Sequence, residues 1–131
     1  MRNRDRQSHT SSKMFRFETI DLGKYRGENF LLVGFVEPKP SDNEDYDPNT
    51  DADNYGVSLV RTGPSPLVDN VQIVRMDTAH GHPHMDLVYL PPDTGESQKV
   101  WLEEGYSYSR MKGYISTNWE IFADRYSQYN E

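Results

Sequence analysis

The stretch "MDTAHGHPHMD", residues 76–86, gathers side chains that move protons and bind anions. His80, His82 and His84 alternate along it, Asp77 and Asp86 flank them, and Arg75 stands just before. The apolar runs on either side read as two strands joined by a short loop centred on residues 80 and 81. In that register Asp77 meets His84, Arg75 meets Asp86, and Ile73 meets Val88 on one face. Met76 meets Met85, Val74 meets Leu87, and Gln72 meets Tyr89 on the other. Two complementary polar pairs form at once, and the opposite face is left mostly apolar, which is what selects this register.

The pairing defines a chemistry. Asp77 beside His84 orients the imidazole and favours its protonated form. Arg75 brings a permanent charge on a planar fork, suited to a phosphate or a carboxylate. His80, in the loop next to Gly81, approaches the same place from above. Two imidazoles beside an arginine are the parts of a metal-independent ribonuclease. One takes the 2′-hydroxyl proton, the other protonates the leaving oxygen, and the arginine steadies the phosphorane. The catalytic set read from the sequence is therefore Arg75, Asp77, His80 and His84.

Two plainer readings compete with it. His–Asp and Arg–Asp pairs across a hairpin are ordinary surface features worth ~0.2–1 kcal/mol each. Alternatively His80, His82 and His84, with Asp77 or Asp86 as a fourth ligand, form a metal clamp. Gly81 and Pro83 interrupt the extended path that the clamp requires, so no metal or other cofactor is assigned.

The elements that must position these groups follow from patterning. "MFRFETI" (14–20), "NFLLVGFVE" (29–37), "YGVSLVR" (55–61), "NVQIVRMD" (70–77), "HMDLVYL" (84–90) and "QKVWL" (98–102) read as strands. The second, apolar throughout, reads as a central strand covered on both faces. After Gly105 the period changes: Met111, Ile115, Trp119, Phe122 and Tyr126 form one apolar stripe, predicting a single helix over about 106–127. The expected fold is α+β, an antiparallel meander of about five or six strands with one long C-terminal helix packed on one face. Residues 1–12 read as a flexible tail and 13–131 as one domain. Within it the acidic, apolar-poor segment 38–54 reads as a mobile loop.

Composition narrows the classes. The chain has 131 residues, 34% of them apolar, and no cysteine, which removes disulfide and thiolate chemistry and fits a cytoplasmic protein. It carries no apolar run long enough to span a membrane. The formal charge is −7, which argues against avid non-specific nucleic-acid binding. A basic N-terminal segment nevertheless leaves a local anion-binding patch available.

"VRMDTAHGHPHMD" resembles the R-x-D-x-x-H-G-x-x-H pattern of small prokaryotic domains, among them the TumE-type toxins of toxin–antitoxin pairs. The strand, histidine loop, strand, strand and closing helix of residues 69–127 are similar in layout. The resemblance carries over Arg75, Asp77, His80, Gly81 and His84 as the site, and it implies RNA and a cognate antitoxin as partners. Asp86 departs from the pattern, standing where those toxins often carry a further histidine. The leading expectation is an RNA-cleaving, toxin-like domain. The alternative is a non-catalytic protein-interaction domain, and a metal-binding hairpin is the third reading.

Overall fold

The structure, a computed structural model, describes residues 14–41, 45–63, 70–90 and 98–129, with His80 described by its backbone alone. The expected tail at 1–12 lies outside the described residues. The strands are β1 (Phe15–Tyr25), β2 (Glu28–Glu37), β3 (Asn54–Thr62), β4 (Val71–Asp77), β5 (His84–Asp86) and β6 (Lys99–Trp101). They form one six-stranded antiparallel sheet in chain order, a meander. A one-turn helix α1 (Pro48–Asp51) and the long helix α2 (Tyr108–Tyr129) complete the α+β domain.

Each element has a local cause. β1 and β2 are joined by Arg26 and Gly27, both at positive φ (56° and 81°). This is the two-residue turn whose twist matches a hairpin. α2 starts where Ser107 Oγ accepts from the Arg110 amide at 3.2 Å, satisfying one of the orphan donors of a helix start. Its stripe then buries Met111, Ile115 and Phe122, with Trp119 and Tyr126 half-buried beside them. The facing sheet surface supplies Phe30, Leu32, Val57, Leu59, Val74, Met76 and Met85. Each such aliphatic side chain taken out of water contributes about 1.5–3 kcal/mol, so this layer holds the helix on the sheet. At Gly34 an added Cβ would stand 1.9 Å from the Tyr108 hydroxyl, so the bare backbone is what lets the helix start approach.

The acidic segment 38–54 contains more order than its composition predicts. Residues 42–44 lie outside the described residues. Asp47 caps α1 by accepting from the Asn49 amide at 3.0 Å, and Pro48 follows at the first helical position. Asn49 then docks on the start of α2, donating to Ser109 Oγ at 2.8 Å and accepting from the Ser109 amide at 3.0 Å. The sequence "DPN" carried that capping signal.

The hairpin register is the one expected, Arg75 opposite Asp86, Met76 opposite Met85 and Asp77 opposite His84. The strand expected over 84–90 is shorter, however, and ends at Asp86. Beyond it the chain turns away: the Leu87 amide bonds to the Gln98 carbonyl, and Tyr89 and Leu90 are buried outside the ladder. The expected pairs of Leu87, Val88 and Tyr89 therefore do not form as a ladder. The Tyr89 amide bonds to the Ile73 carbonyl at 3.0 Å instead, one residue out of the expected register. Apolar residues that pack in an irregular turn read the same as residues of a strand.

Candidate functional site

The polar pairs of the hairpin face away from α2. Because side chains alternate across a strand, the register places Arg75, Asp86 and Lys99 in one row of this face. Asp77, His84 and Trp101 form the next row. The rows are fixed from behind. Thr78 Oγ1 accepts from the Tyr55 amide at 3.0 Å and donates to Asn54 Oδ1 at 3.1 Å, pinning the end of β4 to β3. Gly56 lies opposite Asp77, and a Cβ there would come within 2.5 Å of Asp77 Cβ and 2.6 Å of the Met76 carbonyl. The absence of a side chain at residue 56 is thus a condition for Asp77 to sit where it does.

Asp77 is the hub and is 3% exposed. Its Oδ1 accepts from the Ala79 amide at 2.9 Å and lies 3.4 Å from His84 Nε2. Its Oδ2 lies 3.0 Å from Arg75 Nε. His84, equally buried, donates from Nδ1 to the His82 carbonyl at 3.0 Å, because a carbonyl can only accept. Nδ1 therefore carries a hydrogen, and Nε2 points between two carboxylates, 3.4 Å from Asp77 Oδ1 and 3.4 Å from Asp86 Oδ2. A lone pair there would face two negative charges. The imidazole accordingly holds its second proton more tightly than usual. Its hydrogen bond to Asp86 is the largest cause and outweighs burial, with the His82 carbonyl and the charge of Asp77 adding to it. For Asp86, burial works to raise the pKa. The hydrogen bonds and charges of His84 and Lys99 overcome it and hold the carboxyl below its ordinary range.

The pairing differs from the expectation in one respect. Arg75 stands opposite Asp86, yet its ion pair is with Asp77 on its own strand. Asp86 is taken by Lys99, with Nζ at 3.2 Å. Lys99 and Trp101 were not foreseen, since their place depends on the register of β6 across the connection 87–98. Trp101 is 64% exposed, with its ring edge-on to His82 (centroids 5.4 Å apart) and His84 (5.8 Å).

The structure thus brings Arg75, Asp77 and His84 together. His80 lies in the 3-10 turn Ala79–Gly81, and its side chain lies outside the described residues. His82 is not free for a clamp of three histidines, because it spends Nε2 on the Leu102 carbonyl at 2.9 Å. Among the described residues, Asp77, His84 and Asp86 each offer one ligand atom, and these lie within 4.8 Å of one another. Arg75 and Lys99 sit on the outer oxygens of the two carboxylates, and His84 Nε2 faces the inner ones.

The cluster sets two carboxylates against Arg75, Lys99 and a His84 that holds its second proton more tightly than usual. Arg75 is the group with capacity to spare. Its side chain is 26% exposed, and among the described residues it donates no hydrogen bond; the Nε contact to Asp77 is an ion pair without hydrogen-bond alignment.

A meander backed by one helix, with a charged hairpin cluster on the face away from that helix, defines the class as an α+β domain. The chain belongs to the family described as "Domain of unknown function (DUF7718)", which matches residues 59–131. That span runs from within β3 through α2 and includes the whole cluster. No curated protein and no solved structure matches the chain. Among the described residues, no helix is long and apolar enough to cross a membrane.

Proposed function

We propose that this chain is an RNA-directed domain whose hairpin cluster binds a phosphate of the RNA backbone. One observation carries the reading: the guanidinium of Arg75, which among the described residues donates no hydrogen bond and meets Asp77 only as an ion pair through Nε, stands beside the buried His84 on the face away from the helix. A phosphate oxygen pair matches a planar fork in geometry, and a half-buried cation loses little of its field to water. The formal charge of −7 restricts the attraction to this face, so binding depends on salt.

Cleavage is the stronger form of the same proposal. It assigns His80 as general base, His84 as the acid, Asp77 as the carboxylate that orients His84, and Arg75 as the clamp on the phosphorane. His84 enters with both nitrogens engaged, so its donated proton must come from Nε2 as the substrate displaces Asp86. The resemblance to TumE-type toxins supports the same ligand class and adds a cognate antitoxin, to be sought by co-expression with the neighbouring gene.

The test uses labelled single-stranded and structured RNA with the full chain, with and without EDTA, against His84→Ala. EDTA-resistant cleavage that vanishes in the variant supports the catalytic form. Salt-sensitive binding without cleavage supports the binding form alone. Absence of binding at low salt removes the proposal.

A further inference from the structure

We infer that Trp101 is the platform on which an unpaired nucleobase stacks, so that the ligand of this face is single-stranded RNA rather than duplex; the inference rests on the proposed RNA reading. Trp101 exposes 64% of its surface, more than any other large apolar residue described. A tryptophan so exposed is unusual, since its bulk normally secures high burial. It is also held in place. The Leu102 amide donates to the Pro83 carbonyl at 3.0 Å and His82 Nε2 donates to the Leu102 carbonyl, so the residue after the ring is tied twice to the histidine turn. His82 and His84 both meet the indole edge-on, and Lys99 Nζ stands 5.5 Å from its centroid.

The surroundings select the occupant. Lys99 and Trp101 are two positions apart on β6 and share the open face. Arg75 and Lys99 flank β5 on the same face, two strand spacings or roughly 10 Å apart. Lys99 lies over one face of the indole, so a base stacks on the exposed remainder of the ring with its backbone phosphates toward Lys99 and Arg75. A base in a duplex has its faces covered and is not available to the ring. An apolar protein segment would have to desolvate Lys99, Arg75 and Asp86 around the indole, which the charges oppose.

The measurement is fluorescence of Trp119→Phe, which leaves Trp101 as the sole indole. It is titrated with a uridine decamer, the same strand annealed to its complement, adenosine monophosphate and inorganic phosphate. Single-stranded RNA is expected to quench Trp101 and to bind at least about tenfold tighter than duplex. The monophosphate should quench weakly and phosphate not at all. Trp101→Ala should weaken single-strand binding about tenfold to a hundredfold, with Trp101→Phe retaining most of it. Circular dichroism should show both variants folded, since the side chain is exposed. Equal binding by wild type and Trp101→Ala, or quenching by duplex as strong as by single strand, would overturn the platform while leaving the RNA reading intact. No binding of any RNA by either protein would overturn both and leave this face to a protein partner.

Discussion

Asp77→Asn is the sharpest perturbation of the cluster. The substitution keeps the shape and keeps an oxygen for the Ala79 amide, so what it removes is the charge. Two cations then lose their counter-charge: Arg75 at 3.0 Å and His84 at 3.4 Å. Removing one member of a fully buried pair costs about 3–5 kcal/mol, because the other charge stays buried and uncompensated. Here Arg75 keeps 26% of its side chain in water, which discounts the figure. The expected loss is therefore about 2–4 kcal/mol. With a urea slope of roughly 1.5 kcal/mol per molar, the unfolding midpoint falls by roughly 1–3 M. Asp86→Asn is the internal control. Its side chain is 26% exposed and faces the exposed Lys99 as well as the buried His84, so it should cost less than Asp77→Asn, about 1–2 kcal/mol. The readout is urea denaturation of the three proteins at pH 7, with unchanged slopes confirming the same unfolding. A midpoint for Asp77→Asn within about 0.3 M of wild type, or a larger fall for Asp86→Asn, would refute the reasoning that buried Asp77 is the hub.

Two further predictions follow from the same geometry. His84 has a raised pKa in the fold, so its imidazolium stabilises the protein fully below its ordinary value of 6.5; that contribution disappears as pH rises through the folded value. Stability of the wild type should therefore fall between mildly acidic and mildly basic pH more steeply than that of His84→Gln; parallel pH profiles for the two would contradict it. Gly56→Ala should cost about 1–3 kcal/mol by forcing β3 from β4 at Asp77, and an unchanged melting temperature would show that the close approach is not real.

Much of the fold could be read in the residues. The meander and the long helix follow from alternation and from the Met111–Ile115–Phe122 stripe, because both periods survive in a chain with few apolar residues. The register at Asp77 and His84 was legible because a slip by one residue would have exposed Met76 and Met85 and split both polar pairs. What escaped depended on long-range packing. The strand stops at Asp86 because Tyr89 and Leu90 are buried outside the ladder, and hydrophobicity alone does not distinguish the two uses. Lys99 and Trp101 join the cluster through β6, whose register the connection 87–98 conceals. Arg75 turned to Asp77 because Lys99 had taken Asp86, a competition that pairwise spacing cannot show.

In the proposed function Arg75 holds a backbone phosphate. Its most direct test is the salt dependence of single-stranded RNA binding by the wild type and by Arg75→Ala, followed by anisotropy. Weaker binding by the variant is expected at every salt concentration, with the slope of log affinity against log salt reduced by about 0.7, the value of one phosphate contact on a single strand. Identical slopes and affinities for the two proteins would contradict it.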